Sequence, residues 1–287
     1  MVSDIVFIAD FFADQVLGGG ELNNEVFINH CVKLNYNIQK INSNKVSIDF
    51  IRSNSNCFFI VANFVGLKKE CMDFLTEKCT YVIYEHDHKY LKSRDPAIYT
   101  DFLAPKEEII NYDFYKQAIN VFCQSSFHQS IVEKNTGLSN VVNLSGNLWD
   151  DASLGVMRTI SKKPKQDIYA IMNSPIPHKN TRECVEYCEI KGLRYILVSS
   201  SNYFEFLSSL GNNKKLLFLP KTPETLSRVV VEARMMGIAV TTNKLVGAAY
   251  EPWFALKGEE MIEEAFVMKK RIPELILSCL KDRGTNV

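Results

Sequence analysis

Short apolar runs of strand length alternate with helix-length segments along the whole chain, and few folds accommodate that alternation. Residues 5–9, 36–41, 57–62, 81–84, 118–123 and 141–144 read as strands. Helices are expected at about 20–34, 67–78, 106–117 and 126–136, with 46–51 either a short helix or a strand edge. A second series follows, with strands at 168–172, 195–199, 216–219 and 238–242. Helices are expected after Asn180, at 203–210, and up to Met236. Strand–helix repetition of this kind gives an α/β fold, with parallel sheets covered by helices on both faces.

The chain has 287 residues, against roughly 100–200 per domain, so two domains are expected. We place the first at 1–151 and the second at 166–258, with a linker at 152–165, where Lys162, Lys163, Pro164 and Lys165 make the chain polar and basic. A last helix, expected to kink or break at Pro273, occupies 259–287. Lys plus Arg and Asp plus Glu both total 33, so net charge points neither to nucleic acid nor to an anionic membrane. The eight cysteines contain no C-x-x-C pair, the N-terminus has no signal pattern, and no apolar run approaches the roughly 20 residues that span a bilayer. These features imply a cytoplasmic protein with reduced thiols. Cys184 and Cys188 stand one helical turn apart without the further ligands that zinc requires, and no metal is expected.

One segment concentrates chemistry. From Pro220 to Gly247, a strand closed by proline leads through a loop into a helix ended by Gly237 and then into another strand. Glu224 and Glu232 bracket seven residues of it. The helix starts either at Thr222-Pro223-Glu224 or about five residues later, with Ser227 as its cap. The later start leaves Glu224 on the loop and puts the free amides of Leu226 to Val229 between two carboxylates. A ligand with a phosphate in its middle and hydroxyls at both ends suits that arrangement. Nearer the N-terminus, Gly18-Gly19-Gly20-Glu21 stands at a strand-to-helix turn, where glycines let backbone approach a ligand. As a dinucleotide fingerprint it fails, since the third glycine would fall at Asn23. The fourth strand ends in a titratable cluster, Glu85-His86-Asp87-His88, which is an incomplete set for a metal.

Glu-x7-Glu followed by Ala-x-x-x-Gly-x-x-Val resembles the signature of the GT-B, family-4-like retaining glycosyltransferases. The glycine turn resembles their Gly-Gly-x-Glu, His86 their strand-end histidine, and Ser125, Gly146 and Asp150 the end of their first domain. The resemblance implies two Rossmann-like domains closing on a nucleotide-sugar, with the C-terminal helix packing back on the first. Carried over by position, Glu232 binds ribose, Glu224 the donor sugar, and the backbone at Leu226 and Ser227 the β-phosphate. Gly18, Gly19 and Gly20 lie against the diphosphate, Lys179 neutralises it, and His86 lines the reacting face. Three features depart from the pattern: Ser174 stands where arginine is expected, Asn180 where glycine is, and Gly-Phe-Gly is missing after Glu224. Lys221, Arg228 or Arg182 could supply the missing charge. The second domain also lacks one strand–helix pair.

The resemblance thus implies a hexosyltransferase-like enzyme of carbohydrate biosynthesis. It would move a sugar with retention from a UDP- or GDP-sugar, its substrate, to an acceptor hydroxyl on a glycan, a lipid-linked sugar or a protein, with no separate cofactor. The departures keep two alternatives open, a non-catalytic sugar-nucleotide-binding or structural protein and a sugar-nucleotide epimerase, both of the same fold.

Overall fold

The computed structural model describes residues 4–281. It divides into a first unit, running through Leu148 and taking in the chain from Lys269 onward, and a second unit, Trp149–Met268.

The first unit is built on β1 (Ile5–Ala9), β2 (Ile38–Asn42), β3 (Phe58–Val61), β4 (Thr80–Tyr84), β5 (Val121–Cys123) and β6 (Val141–Asn143). They form a parallel sheet in the order β2-β1-β3-β4-β5-β6. Strands β1, β3 and β5 are buried throughout, as expected of parallel strands covered on both faces, whereas β2 lies at the edge and keeps Gln39 and Lys40 in water. Helices α1 (Gly19–Lys33), α2 (Ile48–Ser53), α3 (Lys69–Lys78), α4 (Tyr112–Gln117) and α5 (Ser126–Thr136) connect them. Segment 46–51 therefore resolves mainly as helix. The helix expected at 106–117 is shorter than its sequence suggests. Ile109 forms an antiparallel bridge with Leu91 and Asn111 takes φ 57°, so only a 3-10 turn forms at Lys106–Glu108 and the α-helix starts at Tyr112.

The second unit holds β7 (Gln166–Met172), β8 (Tyr195–Val198), β9 (Asn213–Phe218) and β10 (Ala239–Thr242), parallel in the order β10-β9-β7-β8. Its helices include α6 (Asp151–Ser161), α7 (Thr181–Ile190), α8 (Tyr203–Gly211) and α9 (Arg228–Met235). The expected linker at 152–165 is largely α6. Asp150 caps it by accepting from the Ser153 amide at 2.8 Å, and Leu154, Met157 and Ile160 form a buried stripe at a spacing of three. Lys165 is bound rather than solvated, donating to the carbonyls of Ile160 (2.8 Å) and Gly211 (3.0 Å). Cys184 and Cys188 pack with Ile171 and Leu217 in an apolar cluster, and burial raises both thiols above their usual range. The last helix, α10 (Glu259–Lys281), continues through Pro273. Among the described residues no helix is long and apolar enough to cross a membrane.

Both sheets have one place where the strand order reverses. In the first it lies between β1 and β3, in the second between β7 and β9. Loops leaving the carboxyl ends of such a pair diverge and leave a crevice, which is where open α/β sheets bind ligands.

Candidate functional site

In the second unit the sequence-selected residues fall on the two loops of the reversal point. The loop after β7 carries Lys179 and that after β9 carries Glu224. Lys179 Nζ donates to both Glu224 oxygens, at 2.7 and 2.9 Å. The loops are also joined through the Lys221 amide and the His178 carbonyl at 2.8 Å. Glu224 itself is extended and bridged in parallel to Val246: its amide donates to Leu245 O (2.7 Å), and its carbonyl accepts from Gly247 N (2.9 Å). That pairing decides the helix start, because an extended Glu224 cannot lie in a first turn. α9 begins at Arg228, so Glu224 stays on the loop; the amides of Arg228 and Val229 lack intrahelical acceptors, while those of Val230 and Val231 donate to Ser227 O at 3.2 and 3.3 Å. Ser227 precedes them with φ 76°, and its buried hydroxyl has no partner among the described residues.

Two departures from the family pattern find a backbone reason here. Asn180 takes φ 60°, ψ 40°, the left-handed region that asparagine enters at lower cost than other non-glycine residues. Its side-chain amide also donates to Glu183 Oε2 and Leu219 O, both at 2.7 Å. Ser227, three residues after Glu224, likewise keeps a glycine-like φ. Asn180→Val, with a β-branched side chain in that region and both bonds lost, is expected to cost about 2 kcal/mol or more, and Asn180→Gly about half as much. Urea unfolding of the two variants checks the order.

The missing arginine is not restored in kind. Ser174 makes a neutral turn, its amide donating to Thr181 Oγ1 (3.1 Å) and its hydroxyl accepting from Ile176 N (3.2 Å). Arg182 pairs with Glu186 and Lys221 with Glu183 on the exposed face of the unit. Arg228 alone of the three candidates lies inward, over the Trp149 ring at 4.5 Å from its centroid and 3.3 Å from Glu232. Glu232 is buried, and its Oε1 accepts from Trp149 Nε1 at 3.0 Å and Tyr203 OH at 2.6 Å.

In the first unit the turn Gly18-Gly19-Gly20 opens α1 beside the end of β4. A Cβ on Gly20 would meet the His86 ring at 3.6 Å, an ordinary contact, so the unit's own packing does not demand glycine there. Asp10, just after β1, ties the reversal-point loops together by accepting from the amides of Val65 (3.0 Å) and Gly66 (2.9 Å). Glu21 folds back toward Gly18, and burial raises its carboxyl above the usual range.

His86 is held as a neutral ring. Its Nε2 donates to Asn24 Oδ1 at 2.7 Å and its Nδ1 accepts from the Gln124 side-chain amide. Burial then lowers its pKa to about 3, a shift that Lys89 reinforces and Asp87 opposes. Such a ring can orient a hydroxyl but does not trade protons near neutrality. His128 Nε2 bonds Asp87 O at 2.9 Å, with Nδ1 accepting from the Gln124 amide at 3.3 Å. His88 and Lys89 are also buried, and Lys89 reaches Glu85, Asp87 (2.8 Å) and Asn63 (3.3 Å). Among the described residues no group of His, Cys, Asp and Glu is placed to hold a metal ion.

No family model matches this chain. No curated protein matches it by sequence either. Solved structures do. HepE of Anabaena, in complex with UDP and glucose, superimposes with a TM-score of 0.55 at 12% identity, over 94% of this chain and 90% of that one. An alpha-glucosyltransferase in complex with UDP-glucose and DNA containing an abasic site gives 0.53 at 11%, over 96% and 94%. WaaB, a lipopolysaccharide outer core galactosyltransferase, gives 0.51 at 11%, over 96% and 94%. The fold is GT-B.

Within this GT-B chain the second unit has four strands, and α8 is the one helix between β8 and β9, as the shortened spacing implied. Sequence reading missed Trp149 and Tyr203 around Glu232, and Asn24 and Gln124 around His86. Trp149 stands 83 positions before Glu232 and Tyr203 29 before it, and only the fold brings them together. Asn24 offered one signal, an amide on what reads as the inward face of α1, where it and Asn23 are fully buried.

Proposed function

We propose that this protein is a retaining glycosyltransferase that moves a sugar from a UDP-sugar to an acceptor hydroxyl. The observation that carries this reading is the reversal point of the second sheet. There the Lys179–Glu224 pair adjoins the open first turn of α9 and a buried Ser227 hydroxyl without a partner among the described residues, with Glu232 further along the same helix. A buried polar group without a partner costs roughly 1–3 kcal/mol, and a phosphate oxygen at a helix N-terminus would remove that cost.

As the bond from the sugar to the diphosphate breaks, negative charge grows on the leaving oxygen and positive charge on the sugar. Lys179 and the amides of Leu226 and Ser227 meet the first. Glu224, held by Lys179, orients the sugar hydroxyls, and Glu232 binds the ribose. In the first unit, considered by itself, Gly18 to Gly20 leave backbone open for close approach, and neutral His86 can orient a sugar hydroxyl without moving a proton. The charge that an arginine at position 174 would supply comes from Arg228. UDP is favoured as the leaving group because HepE and the alpha-glucosyltransferase hold UDP or UDP-glucose on the same fold. The acceptor is a glycan, a lipid-linked sugar or a protein, met in the cytoplasm.

The test is turnover of a panel of UDP-sugars by wild type and Lys179→Ala, with the anomeric configuration of the product read by NMR. Wild type should transfer with retention, and the variant should lose about 100- to 1,000-fold in kcat/KM. Donor binding without hydrolysis or transfer would make the chain a sugar-nucleotide-binding protein. Epimerised donor without an acceptor product would make it an epimerase.

A further inference from the structure

Glu232 is addressed from one side only. Both protein hydrogen bonds it accepts, from the Trp149 indole N–H (3.0 Å) and the Tyr203 hydroxyl (2.6 Å), fall on Oε1, and Arg228 Nε faces the same oxygen at 3.3 Å. A carboxylate oxygen offers two lone-pair sites, so the two donors occupy both. Oε2 takes no hydrogen bond from the protein among the described residues, and it is not among the fully enclosed atoms that lack one.

The donors also hold one another. Arg228 lies over the Trp149 ring and bonds to the Tyr203 hydroxyl, which donates its own proton toward Glu232. Rotating the carboxylate to free Oε1 would break the indole and phenol bonds together. In a buried setting, hydrogen bonds to a charged acceptor are worth more than neutral ones. Glu232 is therefore presented to a ligand as a single oxygen in a fixed direction.

We propose that Trp149 and Tyr203 are specificity-determining residues that make Glu232 read one ribose hydroxyl, through Oε2, instead of gripping the 2′,3′-diol with both oxygens. This rests on the nucleotide reading given above and narrows it. A carboxylate with both oxygens free accepts from both hydroxyls, and removing either weakens binding. One with Oε1 filled accepts from one, and the other hydroxyl points elsewhere and contributes little.

The experiment is calorimetric titration of the full-length protein with UDP, 2′-deoxy-UDP and 3′-deoxy-UDP, in wild type and Tyr203→Phe. In wild type one deoxy analogue should bind about 10- to 100-fold more weakly than UDP and the other within about threefold. Tyr203→Phe removes one donor from Oε1, so both analogues should then bind more weakly than UDP. Thermal melting of the variant confirms that it is folded. If UDP binds and both analogues lose affinity alike in wild type, or neither does, the one-hydroxyl inference falls and the donor site stands. An unchanged pattern in Tyr203→Phe removes Tyr203 from the assignment. If UDP itself does not bind, the donor site and this inference fall together.

Discussion

Lys89→Ala is expected to lower stability by about 3–5 kcal/mol, the usual cost of removing one partner from a buried ion pair. Lys89 is 2% exposed and serves two carboxylates, Glu85 and Asp87, while also reaching Asn63 and lying over the Phe64 ring. Without it Glu85, fully buried, keeps the Tyr115 hydroxyl, and Asp87 keeps Arg94 at 3.5 Å, a half-exposed contact worth little. Glu85→Ala should cost less, because Lys89 retains Asp87. The two substitutions also differ in their pH response. Burial already raises the Glu85 carboxyl to about 7 against the pull of Lys89, so without the lysine it takes up a proton more readily. The cost of Lys89→Ala should therefore shrink between pH 8 and pH 6. Urea denaturation at both pH values measures this, and a loss under about 1 kcal/mol at pH 8 would mean that Glu85 is already protonated in the wild type. His86 lies between these charges in sequence, and the Asp87 amide donates to Glu85 at 3.0 Å, so the same substitution should also displace the ring from its place beside Gly20.

Acidification should destabilise the protein, by about 4 kcal/mol from pH 7 to pH 5. Three histidines behind the first reversal point are kept neutral chiefly by burial: His86 lowered to about 3, His88 to about 4, and His128 well below its usual value. A histidine whose folded pKa is depressed contributes stability above its unfolded pKa and loses it as pH falls, because the unfolded chain takes up the proton first. Each loses about 2 kcal/mol by pH 5, or about 6 together. Glu85 acts in the opposite direction. With its folded pKa raised to about 7, it binds a proton that the unfolded chain does not hold, and adds about 2 kcal/mol over the same interval. Three groups outweigh one, and the loss should set in near pH 6.5 and continue below pH 4, where His88 alone of the three begins to titrate in the folded state. His88→Gln should reduce the histidine contribution by about a third. Stability that is flat or rises from pH 7 to pH 5 would show that these rings are open to water and protons in the native state.

Much of the architecture was legible locally because each element carries its own signal. The runs at 5–9 and 57–62 are apolar at every position, as doubly covered parallel strands must be, and β1 and β3 fall within them. Gly137 and Gly237, both left-handed, stop their helices where a C′ glycine should. Where reading failed, a neighbour distant in sequence overrode the local pattern. The 106–117 helix lost its first half to a bridge from Leu91, and the basic, proline-bearing stretch at 152–165 hid a helix whose apolar stripe shows only against a core.

The candidate site divides in the same way. By itself the sequence determined which residue types sit on which loop: glycines opening α1, His86 after β4, Lys179 after β7, Glu224 and Glu232 about a helix start. These follow from short-range rules of period, capping and turn chemistry. Tertiary structure alone decided what meets what. The β10-β9-β7-β8 order sets the loops after β7 and β9 side by side and so pairs Lys179 with Glu224, and the bridge from Val246 keeps Glu224 off the helix. Trp149 and Tyr203 reach Glu232 from α6's leading edge and from α8, and together they decide which of its oxygens is left for a ligand. Strand order and long-range hydrogen bonds are paid for by burial of the whole unit, so no local run of residues encodes them.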